Sequence, residues 1–95
     1  MAQYRTQTKI IADILVTARD MNTAGDGVGI TTLLRKGNVS YNRMSKLIAD
    51  LVGAGLLEEH MLEKNAKYKI SERGITFLTA YSQFEDFAQS FGLRL

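Results

Sequence analysis

Two short amphipathic stretches separated by Gly37-Asn38-Val39-Ser40 constrain this chain more than any other feature in it. Before the gap, Ile30 to Lys36 carries Leu33 and Leu34. After it, Met44, Leu47, Ile48 and Leu51 recur at three- and four-residue spacing between Tyr41 and about Ala54. That spacing lays an apolar stripe along one side of a helix. Gly37 stands where a left-handed cap is expected, Ser40 offers its hydroxyl to the free amides of the second helix, and Gly55 closes it. Two short helices across a tight turn containing glycine form the helix-turn-helix pattern.

The flanking segments complete a layout. Ile10, Ile11, Ile14, Leu15, Ala18 and Met21 predict a first helix from Thr6 or Thr8 to about Thr23. Ala24-Gly25-Asp26-Gly27-Val28-Gly29 breaks it, because glycine weakens helices and admits positive φ. Leu56 to Met61 and Lys67 to Ile70 alternate as two strands around a polar turn, Glu63-Lys64-Asn65-Ala66. Ser71 caps a last helix from Glu72 to about Phe91, ended by Gly92, with Ile75 and Leu78 directed into the core. Three helices, a hairpin and a closing helix make a mostly α fold with a small β-hairpin: a winged helix-turn-helix. Residues 1–71 read as the winged-helix unit and 72–95 as a C-terminal helix packed on the same single domain.

With 95 residues the chain suffices for one domain, and a hydrophobic fraction of 45% supports a core. The absence of cysteine removes disulfides, thiolate metal sites and thiol catalysis together. No apolar run approaches a membrane span and no signal-peptide pattern opens the chain, so a cytoplasmic, nucleoid-associated location is expected. Net charge is only +2, yet Arg35 to Lys69 holds seven basic residues against four acidic ones. Phosphate binding needs cations placed along a track rather than a large total charge.

In a helix-turn-helix the second helix enters the major groove of DNA and its N-terminal residues reach base edges. Opposite the apolar stripe lie Asn42, Lys46 and Ala49, flanked by Arg43 and Ser45. Arg reads guanine and Asn reads adenine through paired hydrogen bonds, and Lys suits phosphate or guanine. Arg35 and Lys36 precede the turn and are placed to clamp the backbone. The helix N-terminus from Ser40 to Arg43 favours a phosphate, as do Lys64, Lys67 and Lys69 on or beside the wing tip. Tyr41 falls toward the core edge, where packing competes with a DNA contact. Exposed helix faces are polar in every soluble protein, so the charges alone decide nothing. Glu58, Glu59 and Glu63 weigh against a strongly phosphate-binding wing.

Phe77, Tyr81, Phe84, Ala88 and Phe91 are spaced four, three, four and three, a heptad seam broadened by Phe87. The seam predicts a homodimer joined in coiled-coil fashion. The alternative is that the row packs on the first helix of its own chain.

Other signals carry less. Gly25-Asp26-Gly27-Val28-Gly29 follows a helix and lacks the Gly-Lys-Ser/Thr ending of a phosphate loop. Asp20, Asn22, Gly25 and Asp26 open like a calcium loop, but Ala24 and Thr31 occupy positions that need ligands. His60 is the only histidine, so no nucleophile, base and orienter can be assembled. A non-enzyme without metal, cofactor or evident small-molecule ligand is expected.

Gly37-Asn38-Val39-Ser40-Tyr41, followed by Leu47, Leu51 and Gly55-Leu56-Leu57, resembles the archaeal winged-helix family whose turn reads Ala-Asn-Leu-Ser-Tyr. Tyr68-Lys69-Ile70-Ser71-Glu72-Arg73-Gly74, with Phe77, Leu78 and Tyr81, is similar to that family's Tyr-x-Ile-Thr-Glu-Lys-Gly-x-x-Phe-Leu-x-x-Tyr. The resemblance spans Thr6 to Phe87. It implies double-stranded DNA binding in transcription regulation or chromatin organisation, with dimerisation through the last helix. The chain departs in its glycine-rich loop and in a last helix shorter than that of the long coiled-coil members. The reading from another class is a winged-helix protein-interaction module of the transcription machinery, which the low net charge favours.

Overall fold

The computed structural model describes residues 6–93. Helix α1 spans Gln7–Asp20, with the Thr6 hydroxyl accepting the Lys9 amide at 3.1 Å. Ile10, Ile14, Leu15 and Ala18 are buried. The helix stops three residues short of the expected Thr23, and Met21 is 39% exposed beyond its end. The Asn22 side chain accounts for the early stop: its oxygen accepts the Gly27 amide at 2.8 Å and closes the following loop on itself.

That loop has a structural task the sequence concealed. Val28 exchanges two backbone hydrogen bonds with Tyr68, at 2.9 and 2.8 Å, so it lies along the wing like a one-residue strand. Gly27 has φ 98°, and a Cβ there would stand 3.0 Å from the Tyr68 carbonyl oxygen. Only glycine meets both demands.

Helix α2, Ile30–Gly37, and helix α3, Tyr41–Gly53, form the expected pair. The left-handed residue of the turn is Asn38, φ 55°, and not Gly37. Gly37 is buried, and a Cβ on it would come within 2.7 Å of the Met44 methyl. Glycine therefore serves close helix approach, and asparagine, which tolerates this conformation, makes the turn. Ser40 caps α3 by accepting the Arg43 amide at 3.2 Å. At the other end Leu56 N–H reaches Leu51 and Gly55 N–H reaches Val52, with Gly55 at φ 81°, a Schellman closure.

Strands β1, Leu57–Leu62, and β2, Asn65–Ile70, pair antiparallel from Leu57 opposite Ile70 to Leu62 opposite Asn65. The turn is two residues, Glu63-Lys64, rather than the four expected, with Glu63 at φ 58°. Of β1 only Leu57 is buried; Met61 is 65% exposed, because the ribbon runs beyond the core.

Helix α4 spans Glu72–Ser90. Ser71 fixes its start, accepting the Gly74 amide at 3.0 Å and donating to the Gly55 carbonyl at 2.6 Å. This hydroxyl ties the beginning of α4 to the end of α3. Leu78 is buried as expected, but Ile75 is 41% exposed, since the winged-helix core meets α4 on the side of Gly74 and Leu78. Ile14, Leu15, Leu33, Met44 and Leu57, all fully buried, mark the centre where the helices and wing base converge.

Candidate nucleic-acid interface

The apolar residues of α3 divide the helix cleanly. Met44, Leu47, Ile48 and Leu51 are buried, and at about 100° per residue the opposite side carries Asn42, Lys46 and Ala49. All three are exposed, as is Arg43; Ser45 is half-buried. Arg35 and Lys36 are exposed in the last turn of α2, directly before the turn. Among the described residues none of Arg35, Lys36, Arg43 and Lys46 forms an ion pair. Four cations thus face solvent around the start of α3, with Asp50 the acid nearest them along the helix.

Tyr41 departs from its expected place at the core edge. It is 60% exposed and borders a cleft of about 690 Å³ between the start of α2, α3 and the wing. Thr31, Ser45, Ala49 and Lys67 share this lining. On the other flank of α3, Arg43, Lys46 and Asp50 border a smaller hollow with Gln7 of α1.

The wing lysines separate into two kinds. Register sets Lys69 opposite Glu58 and Lys67 opposite His60 on one face, where His60 Nε2 lies 3.4 Å from the Glu58 carboxylate. Lys67 and Lys69 are half-buried, whereas Lys64 in the turn is exposed. On the other face the Tyr68 hydroxyl donates to Glu59 at 3.0 Å. Burial first, and then Glu59, pushes the Tyr68 phenol above its ordinary value of 10.0.

The family model described as winged helix-turn-helix matches residues 4–89. The chain belongs to the winged helix-turn-helix family. No curated protein sequence matches it. Among solved structures, this winged-helix chain is similar to Sso10a-2, a DNA-binding protein from Sulfolobus solfataricus, with 23% identity and a TM-score of 0.76. That match covers 92% of this chain and 85% of the other. It is also similar to F-93 of SSV1, with 15% identity, a TM-score of 0.56, and coverage of 92% and 99% respectively. At these identities the likeness is one of fold.

The closing helix of this winged-helix protein redistributes the expected seam. Ala88 is 3% exposed, and Phe77 and Tyr81 are half-buried, their rings stacked at 6.3 Å. Phe77 and Tyr81 pack against the core. Burial, followed by the nearby Glu85 and Asp13, raises the Tyr81 phenol above its ordinary value. Phe84, Phe87 and Phe91 are instead 56%, 63% and 67% exposed, and Phe87 meets Phe91 edge-on at 5.0 Å. With Ala80 these three are spaced four, three and four, a heptad stripe rotated from the expected one. The sequence contained that spacing, but the overlapping 77/81/84/88/91 row masked it. No described helix is long and apolar enough to cross a membrane.

Proposed function

We propose that the chain is a non-enzymatic binder of double-stranded DNA, with α3 in the major groove. The observation that carries this reading is the solvent face of α3, where Asn42, Arg43 and Lys46 stand exposed beside Arg35 and Lys36, with none of these cations in an ion pair among the described residues. Arg43 and Asn42 supply base-edge hydrogen bonds; Arg35, Lys36, Lys46 and the capped start of α3 hold phosphates. Tyr41 and Ser45 border the cleft on the wing side of this surface, Ser40 caps the helix start that meets a phosphate, and Lys64 and Lys67 give a second backbone contact. Lys69, set against Glu58, contributes least. The similarity to a DNA-binding protein supports the same reading.

The working unit in this proposal is a homodimer joined through α4, with residues 1–71 as the DNA-binding part of a single domain. Its roles are transcription regulation or chromatin organisation on the nucleoid. Phe84, Phe87 and Phe91 form the pairing stripe, with Phe77 at its edge, while Tyr81 and Ala88 steady α4 on its own protomer. Replacing Arg43 and Lys46 together by Glu tests the DNA face by fluorescence anisotropy of a labelled duplex. Affinity should fall at least about a hundredfold with an unchanged melting curve. Undiminished binding would remove α3 from the interface.

A further inference from the structure

The wing carries three acids, and the fold treats one of them differently. Glu58 lies 3.4 Å from His60 and opposite Lys69, and Glu63 stands in the turn beside Lys64. Glu59 lies on the other face of the ribbon, the face of Leu57 and Tyr68. There its carboxylate accepts the Tyr68 hydroxyl at 3.0 Å and forms no ion pair among the described residues.

The donor of that bond is itself held in place. Tyr68 is 9% exposed, and its backbone exchanges hydrogen bonds of 2.9 and 2.8 Å with Val28. An exposed glutamate ordinarily swings aside when an anion approaches, for little more than a change of rotamer. Here the swing also breaks a hydrogen bond to a charged acceptor, one of the stronger kinds.

The fixed carboxylate borders the cleft between α3 and the wing, together with Tyr41, Ser45 and Ala49. Glu59 and Lys67 are the charged residues of that lining, and the Lys67 ammonium reaches toward Gly29 at the start of α2. Arg35, Lys36, Arg43 and Lys46 stand outside the lining. With α3 in a major groove, the strand bounding that groove passes along the wing-side flank of the helix. Its phosphates then approach a carboxylate that is not free to leave.

We propose that Glu59, positioned by Tyr68, is an electrostatic brake on DNA binding, its charge opposing the phosphates that α3 draws to the cleft. This rests on the DNA-binding reading above. Phosphates are the same in every sequence, so the brake lowers affinity across sequences and leaves base preference to α3.

Glu59→Gln removes the charge, keeps the shape and still offers an oxygen to the Tyr68 hydroxyl. Glu58→Gln, on the opposite face, makes the same change in net charge. Both are compared with wild type by anisotropy of one labelled random-sequence duplex across a salt series. Glu59→Gln should bind about fivefold more tightly at low salt, and its advantage should shrink as salt rises. Glu58→Gln should stay within about twofold of wild type. A gain in affinity cannot come from a damaged fold, so loss of structure is not an explanation for the expected result. Affinity of Glu59→Gln equal to or below that of wild type overturns the proposal. An equal gain in both variants overturns it too, because net charge alone would then be responsible. Wild type and both variants without salt-dependent binding remove the DNA reading together with this one; wild-type binding with no gain in Glu59→Gln removes the brake alone.

Discussion

Two glycines lie at packed positions for the same reason, and a third shows the contrast. A Cβ on Gly74 would press on the Leu56 carbonyl oxygen and the Ile70 side chain, and one on Gly37 on the Met44 methyl. A Cβ on Gly53, in α3, meets nothing. Gly74→Ala should therefore lower stability by about 1–3 kcal/mol despite better helix propensity, whereas Gly53→Ala should raise it by about 0.5–1 kcal/mol. Urea midpoints with unchanged slopes would register these opposite signs. Equal shifts for the two would contradict the packing described. The tyrosines make a separate prediction. Tyr68 and Tyr81 both have folded-state phenol values raised above 10.0. Their contribution is complete below the unfolded value and is lost as pH rises through the folded one. Stability should fall above about pH 10, and the Tyr68→Phe/Tyr81→Phe variant should show a shallower alkaline decline in a melting series. An unchanged decline would mean that neither phenol is held protonated by the fold.

At the scale of elements, much was legible from local chemistry. Ser40 and Ser71 capped the helices the sequence assigned to them, and Gly55 and Gly92 ended α3 and α4 in left-handed conformations. These features act over a few residues, so a sequence displays them directly. What stayed hidden depends on partners distant in the chain. Val28 joins the wing only because Tyr68 arrives beside it, and Ile75 is exposed because Gly74 and Leu78 meet the core. The α4 seam shows the same limit: its heptad spacing was visible, but which overlapping row faced outward was settled by how α4 lies on the core. Phe84 and Phe87 on α4, and Phe91 at its C-cap, are the aromatic residues left more than half exposed there. Phe84→Asp/Phe87→Asp should thus convert a dimer to a monomer in sedimentation velocity while preserving the melting curve. A persistent dimer would place the interface elsewhere.

For the whole molecule, the near-neutral total charge and the local surface point in different directions. The net +2 is too small for a general polyanion field, so any hold on DNA must come from placed cations. The fold supplies that placement by bringing Arg35 and Lys36 to one side of a tight turn and Arg43 and Lys46 to the other. A protein-interaction module would need none of this alignment and would bind with little dependence on salt.

That contrast defines the most direct test: anisotropy of a labelled random-sequence duplex titrated with the protein at several salt concentrations. Placed cations on phosphates predict a log–log plot that falls with a slope steeper than about −3. A flat plot, or no binding at the lowest salt, would contradict a DNA-binding surface built on α3.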